Sequence, residues 1–156
     1  MEGEALLSVV SEFLAVLRPE GSPAASAFQQ LPDLLDRLAA FARHHELAKA
    51  EDYPDPPSLP SRYEELRAIA EQRFPGLRPY NIPSPISGTP AEAQLLLGDP
   101  YDDIADIAAG LEDVRWALEN TSVADALWHF RFGFETHWGE HISNLRWYLY
   151  AQEHHL

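Results

Sequence analysis

Apolar side chains along this chain recur at intervals of three and four residues, the spacing that gathers them on one face of an α-helix. Leu6, Val10, Phe13 and Leu17 form the first such stripe, and Pro19 and Gly21 end it. Leu31, Leu35, Leu38 and Phe41 form a second, predicting a helix from Leu31 to Ala50 with Pro32 in its first turn, where a missing amide is harmless. Pro54, Pro56, Pro57 and Pro60 then predict an extended linker over residues 52–60. Ser61 and Glu64 have the spacing of a capping box and open a third helix that reaches Phe74, where Pro75 stops it.

Residues 75–88 carry Pro75, Pro79, Pro83 and Pro85 among Tyr80, Ile82 and Ile86, which predicts an irregular segment lying across the bundle. Thr89, Pro90 and Glu92 read as the cap of a short helical turn that Gly98 ends. Asp99 and Pro100 open a fourth helix reaching Asn120, and Ser122 with Asp125 starts a long, proline-free fifth helix to Gln152. No strand pattern competes. The expected fold is all-α, one helical domain over residues 1–156, a bundle of about five helices with a proline-rich crossing loop.

Composition narrows the functions open to such a bundle. Hydrophobic residues make up 46% of the 156 positions, enough to fold. A net charge of −14 with only 11 Lys and Arg argues against nucleic-acid and anionic-membrane partners, which reward clustered cations. The absence of cysteine removes disulfides, zinc-thiolate sites and thiol nucleophiles. Glu2 and Glu4 stand where a signal peptide would be basic, and no apolar run is long enough to span a bilayer, so a soluble, cytoplasmic protein is expected. Glycine-rich phosphate loops and nucleophile elbows are missing as well.

The chemistry-bearing residues fall on the last two helices. Ile104, Ile107, Leu111, Val114 and Leu118 form the stripe of helix four, with Asp102, Asp106 and Asp113 round the side, where solvation is expected. Asp103 lies beside Ile107 and needs a partner, because an unpaired buried carboxylate is costly. On helix five, Leu127, Phe130, Phe134, His137, His141, Leu145, Tyr148 and Gln152 line up, so both histidines are expected to face inward. Gly133 and Gly139 predict close approaches in that helix. Its other side carries Trp128, Phe132, Trp147 and Tyr150, so the helix is expected to be either central to its bundle or pressed against a protein partner or a second copy.

Residues His137 to His141 match the H-x-x-E-H pattern, in which two histidines hold zinc and the glutamate, here Glu140, polarises a water. A third acid ligand is missing downstream, where only Glu153 stands. A broader arrangement sets His137 and His141 against Asp103, with Asp102 or Asp106, as a divalent-metal site between helices four and five. The plainer alternative is a polar network in which Asp103 orients one histidine or Arg131. His44, His45, His154 and His155 sit near helix ends and are assigned nothing.

The run Arg73, Phe74, Pro75 and Tyr80, followed by Asp102, Asp103, Ile104, Ala105, Asp106 and Ile107, resembles a bacterial all-helical domain family of unknown function. Phe134, Glu135, His137, Trp138, Gly139, His141, Asn144, Leu145 and Arg146 resemble its closing signature. The resemblance covers about residues 62 to 150, and Tyr150 departs from the further histidine the family tends to place there. It implies a compact helical bacterial domain and brings no activity with it.

The leading expectation is therefore a non-enzymatic accessory or protein-interaction module, with a homodimer through the aromatic side of helix five and no cofactor. The alternative is a metal-dependent hydrolase or metal sensor using His137, His141 and Asp103, with Glu140 as a base. A small-ligand pocket roofed by residues 75–88 is the third.

Overall fold

The computed structural model describes residues 1–45, 54–83 and 86–156. Its helices are α1 (Glu2–Val16), α2 (Ala24–His44), α3 (Arg62–Arg73), α4 (Pro100–Asn120), α5 (Val123–Gly133) and α6 (Gly139–His154), the last two joined by a π-helical turn over Phe134–Trp138. Counting that continuous run once gives the expected bundle of five. The expected end of the second helix, residues 46–50, lies outside the described residues, as do residues 52 and 53 of the linker and Pro85.

Helix α4 is the hub, packing against α1, α3, α5 and α6. Its stripe of Ile104, Ile107, Leu111 and Val114 is buried, and these side chains join Leu6, Phe13, Leu35 and Leu38 in one contiguous core. Burying an aliphatic side chain of this size contributes about 1.5–3 kcal/mol. Asp99 caps α4 by accepting bonds from the amides of Tyr101 and Asp102, while Ser122 caps α5 by accepting from Asp125.

Several local expectations are corrected. Helix α2 begins at Ala24, so Pro32 sits well inside it and brings no amide to the carbonyl of Phe28. Ser61 does not cap α3 with its side chain; its hydroxyl donates instead to Glu65 at 2.8 Å. Between α3 and α4 the chain is not wholly irregular. Tyr80–Pro83 forms β1 and Leu95–Gly98 forms β2, an antiparallel hairpin with Tyr80 opposite Gly98 and Pro83 opposite Leu95. Four-residue strands are too short for alternation to stand out, and the Leu95–Leu97 run is compatible with a helical turn. Gly76, at φ 92°, turns the chain out of α3 towards this hairpin.

The π-turn resets the register of the last helix. The amide of Gly139 donates to the carbonyl of Phe134, five residues back, and a Cβ on Gly139 would strike that oxygen. One extra residue in the turn rotates the helix beyond it, so Trp138 is buried in place of His137. The Trp138 indole lies between Gly110 of α4 and Gly133 of α5, where a Cβ on either glycine would strike the ring. Phe130 and Phe134 meet it edge-on, with centroids 5.0 and 5.4 Å away.

Candidate metal centre

The first turns of α4 and the π-turn with the start of α6 face each other across the bundle, and His137 and His141 meet Asp102, Asp103 and Asp106 there. Asp103, only 4% exposed, accepts the Nδ1 proton of His141 at 2.7 Å. Its other oxygen accepts the hydroxyl of Tyr80. The partner demanded by its burial is thus a histidine and a tyrosine, while Arg131 pairs with Glu135 instead.

The second imidazole nitrogen of His141, Nε2, lies 3.3 Å from Asp106 Oδ2. His137 Nε2 lies 3.8 Å from the same oxygen, with the two rings nearly perpendicular. Asp102 accepts the hydroxyl of Tyr63 on α3. Among the described residues, Asp106, His137 and His141 form one group whose ligand atoms all lie within 4.8 Å, and Asp102, Asp103 and His141 form another. Glu140 is exposed and belongs to neither group, and Glu153 sits with His154 at the far end of α6.

Two expectations about exposure change. His137 does not face inward: its side chain is 57% exposed at the rim, because the π-turn carries Trp138 into the core position. Asp102, Asp106 and Asp113 are half-buried instead of solvated, since α3 packs over that side of α4 and brings Tyr63 to Asp102 and Arg62 to Asp113, at 2.6 Å.

Electrostatics follow from this geometry. Burial pushes the carboxyl groups of Asp103 and Asp106 above their usual range, more than the histidines pull them down. Burial alone would lower the pKa of His141, yet its hydrogen bond to Asp103 and the surrounding carboxylates raise it. Burial and the Asp102 carboxylate push the Tyr63 hydroxyl up to about 12, and burial with Asp103 pushes Tyr80 higher still, so both tyrosines are hydrogen-bond donors throughout the physiological range.

Tyr63 is the residue missed by local pattern, because nothing on α3 signals that its hydroxyl reaches another helix. Tyr80 is placed by tertiary contacts. Gly98 leaves room for its ring, which a Cβ there would strike, and Tyr148 stacks on it with centroids 4.6 Å apart.

A cleft of about 490 Å³ opens beside the centre, with Asp106 and His137 in its wall together with Tyr63, Trp128 and Phe132. The aromatic residues expected on one side of helix five fall into separate places. Trp128 and Phe132 stack on each other in this cleft, whereas Trp147 lines a smaller hollow of about 210 Å³ against β1 and Tyr150 packs on His154.

Fold and site together define a mainly α-helical bundle with a His/Asp cluster at its α4–α6 seam. The chain belongs to the family described as Domain of unknown function (DUF5063), whose model matches residues 5–155. The resemblance seen over residues 62 to 150 thus extends across nearly the whole chain. A crystal structure of protein BF1032 from Bacteroides fragilis superposes with a TM-score of 0.74 at 18% identity, covering 98% of this chain and 92% of that one, a likeness of fold. No curated protein matches. Neither the family nor this neighbour brings an activity with it. Among the described residues no helix is long and apolar enough to cross a membrane.

Proposed function

We propose that this protein binds a divalent transition-metal ion through His137 Nε2, His141 Nε2 and the Asp106 carboxylate. The carrying observation is convergence: two imidazole nitrogens aim at one carboxylate oxygen, from 3.8 and 3.3 Å. Donors about 2.1 Å from a shared ion, at angles between octahedral and tetrahedral, stand about 3.0–3.4 Å apart. His141 is already at that spacing, and the exposed His137 closes the rest by a small ring movement. Asp103 supplies the second support that metal-bound histidines usually have, a carboxylate on the opposite ring nitrogen that fixes the tautomer and leaves Nε2 for the ion.

Two imidazoles and one carboxylate suit zinc, iron(II), manganese or cobalt better than calcium or magnesium, which favour oxygen ligands. Three protein ligands leave coordination positions open towards the cleft, as in centres that activate water or recognise a ligand. Glu140 has no part in this centre.

The test is elemental analysis of protein purified without chelator or nickel resin, then reloaded with each ion. Stoichiometric metal in the natural chain, lost in His137→Ala and His141→Ala with helical circular dichroism unchanged, is expected. A natural chain that retains no ion after reloading rejects the reading.

A second reading, a non-enzymatic interaction module, is supported by exposed apolar side chains away from the centre. Leu95 and Leu97 on β2 are 77% and 78% exposed, and Trp147 on α6 is 62% exposed. Light scattering at high protein concentration tests self-association, and a monomer throughout removes the homodimer.

A further inference from the structure

We infer that the ligand recognised at this centre is an organic molecule with a flat, apolar body and a single oxyanion head, and that a polyanion is excluded. The inference rests on the metal reading and adds what surrounds the ion. Asp106 and His137 form part of a cleft of about 490 Å³, a volume in the range that encloses a small organic ligand. Phe132 stands one helical turn before Thr136 and His137 and is 49% exposed, presenting its ring to the same space. Trp128, in the same cleft wall, lies against one of its faces, parallel to within 8° at a centroid distance of 4.8 Å. A braced aromatic face beside open metal positions is a surface for a planar group, since aromatic pairs favour offset stacking.

The charges of the wall set the head group. Arg62 lines the cleft but is held by Asp113 at 2.6 Å. His129 Nε2 is engaged with the carbonyl of Pro54 at 3.0 Å. Of the carboxylates in the wall, Asp106 is given to the ion and Asp113 to Arg62, which leaves Asp55 to face an incoming anion. Among the described lining residues, therefore, no uncommitted cation awaits a second negative charge, and the ion is the one strong attraction for an anion. A carboxylate or hydroxamate can use it, whereas each additional charge finds no free cation among these residues and faces Asp55.

The experiment uses the full chain loaded with zinc, with metal content measured before any ligand is added. Benzohydroxamate and acetohydroxamate share a chelating head and differ in the ring, and calorimetric titration compares them. Benzohydroxamate is expected to bind about three- to tenfold more tightly, and Phe132→Ala to remove that advantage while leaving zinc content and acetohydroxamate affinity unchanged. Equal affinity for the two hydroxamates, or an advantage that survives Phe132→Ala, overturns the aromatic half. Benzoate is expected to bind more tightly than benzene-1,3,5-tricarboxylate, and the reverse order overturns the charge half. A chain that holds no zinc, and no iron(II), manganese or cobalt in its place, overturns the metal reading at the first step, and this inference with it.

Discussion

The α1–α2 hairpin and the seam between α4 and α6 feed the same core but treat polar groups in opposite ways. In the hairpin, Leu6, Val10 and Phe13 are buried together with Leu31, Leu35 and Leu38, and its own charges stay at the edge, while the buried Arg73 of α3 closes its end by donating to the carbonyls of Val16 and Ser22. Glu12 pairs with Arg37 there with side chains 44% and 40% exposed, a setting in which an ion pair contributes about 0.2–1 kcal/mol at most. At the seam, Asp103 is buried beside half-buried Asp106 and His141, where unmatched charge is costly. A bundle of this size does not need that arrangement to fold. Apolar side chains would fill the seam at less electrostatic cost.

Replacing Trp138 tests that contrast most severely, because it separates the core part of the seam from the polar part. Trp138→Ala is expected to lose about 3–5 kcal/mol in urea or thermal unfolding, with His137 and His141 misplaced as the π-turn relaxes. A loss below about 1 kcal/mol would show that the indole is not what holds the π-turn.

Asp103→Asn sharpens the comparison next. The amide is nearly the same size as the carboxylate but no longer attracts the Nδ1 proton of His141 as strongly. Zinc affinity is expected to drop about 10- to 100-fold while the fold persists, measured by competition with a chromophoric chelator. Unchanged affinity would remove Asp103 from the metal's support.

Titration gives a smaller effect of definite sign. The pKa of His141 is raised above its ordinary 6.5, so its contribution to metal-free stability is fully present below 6.5 and is lost as pH rises through the raised value. The raised pKa values of Asp103 and Asp106 act in the same direction, beginning above the ordinary carboxylate value of 3.8. Metal-free protein should therefore lose stability towards alkaline pH, and His141→Gln should flatten the part of that slope above pH 6.5. Zinc affinity should run the other way, rising with pH as the competing Nε2 proton leaves.

The smallest effect belongs to the hairpin. The Arg37 hydrogen bond lowers the Glu12 pKa from 4.5 to about 2, so the pair's contribution is present above 4.5 and is lost as pH falls through about 2. Glu12→Gln at neutral pH is expected to change stability by less than about 1 kcal/mol, because the pair is exposed and screened. A larger loss would mean that the hairpin, too, relies on its charges.

Much of this molecule is legible along the chain. Periodicity located four of the five helical runs, a cap spacing and Pro75 bounded α3, and the caps at Asp99 and Ser122 are where the residue types put them, because capping and amphipathicity are decided within a few residues. The wheel of α4 also showed that Asp103 required a partner, since its burial follows from the apolar residues on either side. The chain alone left the partner's identity between a histidine and Arg131, and it gave no sign that Tyr63 and Tyr80 would bond two of the acids. Those contacts join residues 39 and 23 positions apart, and only the packing of α3 and the hairpin onto α4 creates them. The sharpest failure was His137, placed inward by a regular helical period that one π-turn breaks. A single inserted residue leaves almost no trace in composition, but it puts Trp138 in the place expected for His137, while Leu145 and Tyr148 further along stay buried as the period has them. Local chemistry thus determined the α-helices and most of their faces, whereas the β1–β2 hairpin, the π-turn and the meeting of His137, His141 and Asp106 were decided by packing, which fixes distances between residues that sequence spacing cannot relate.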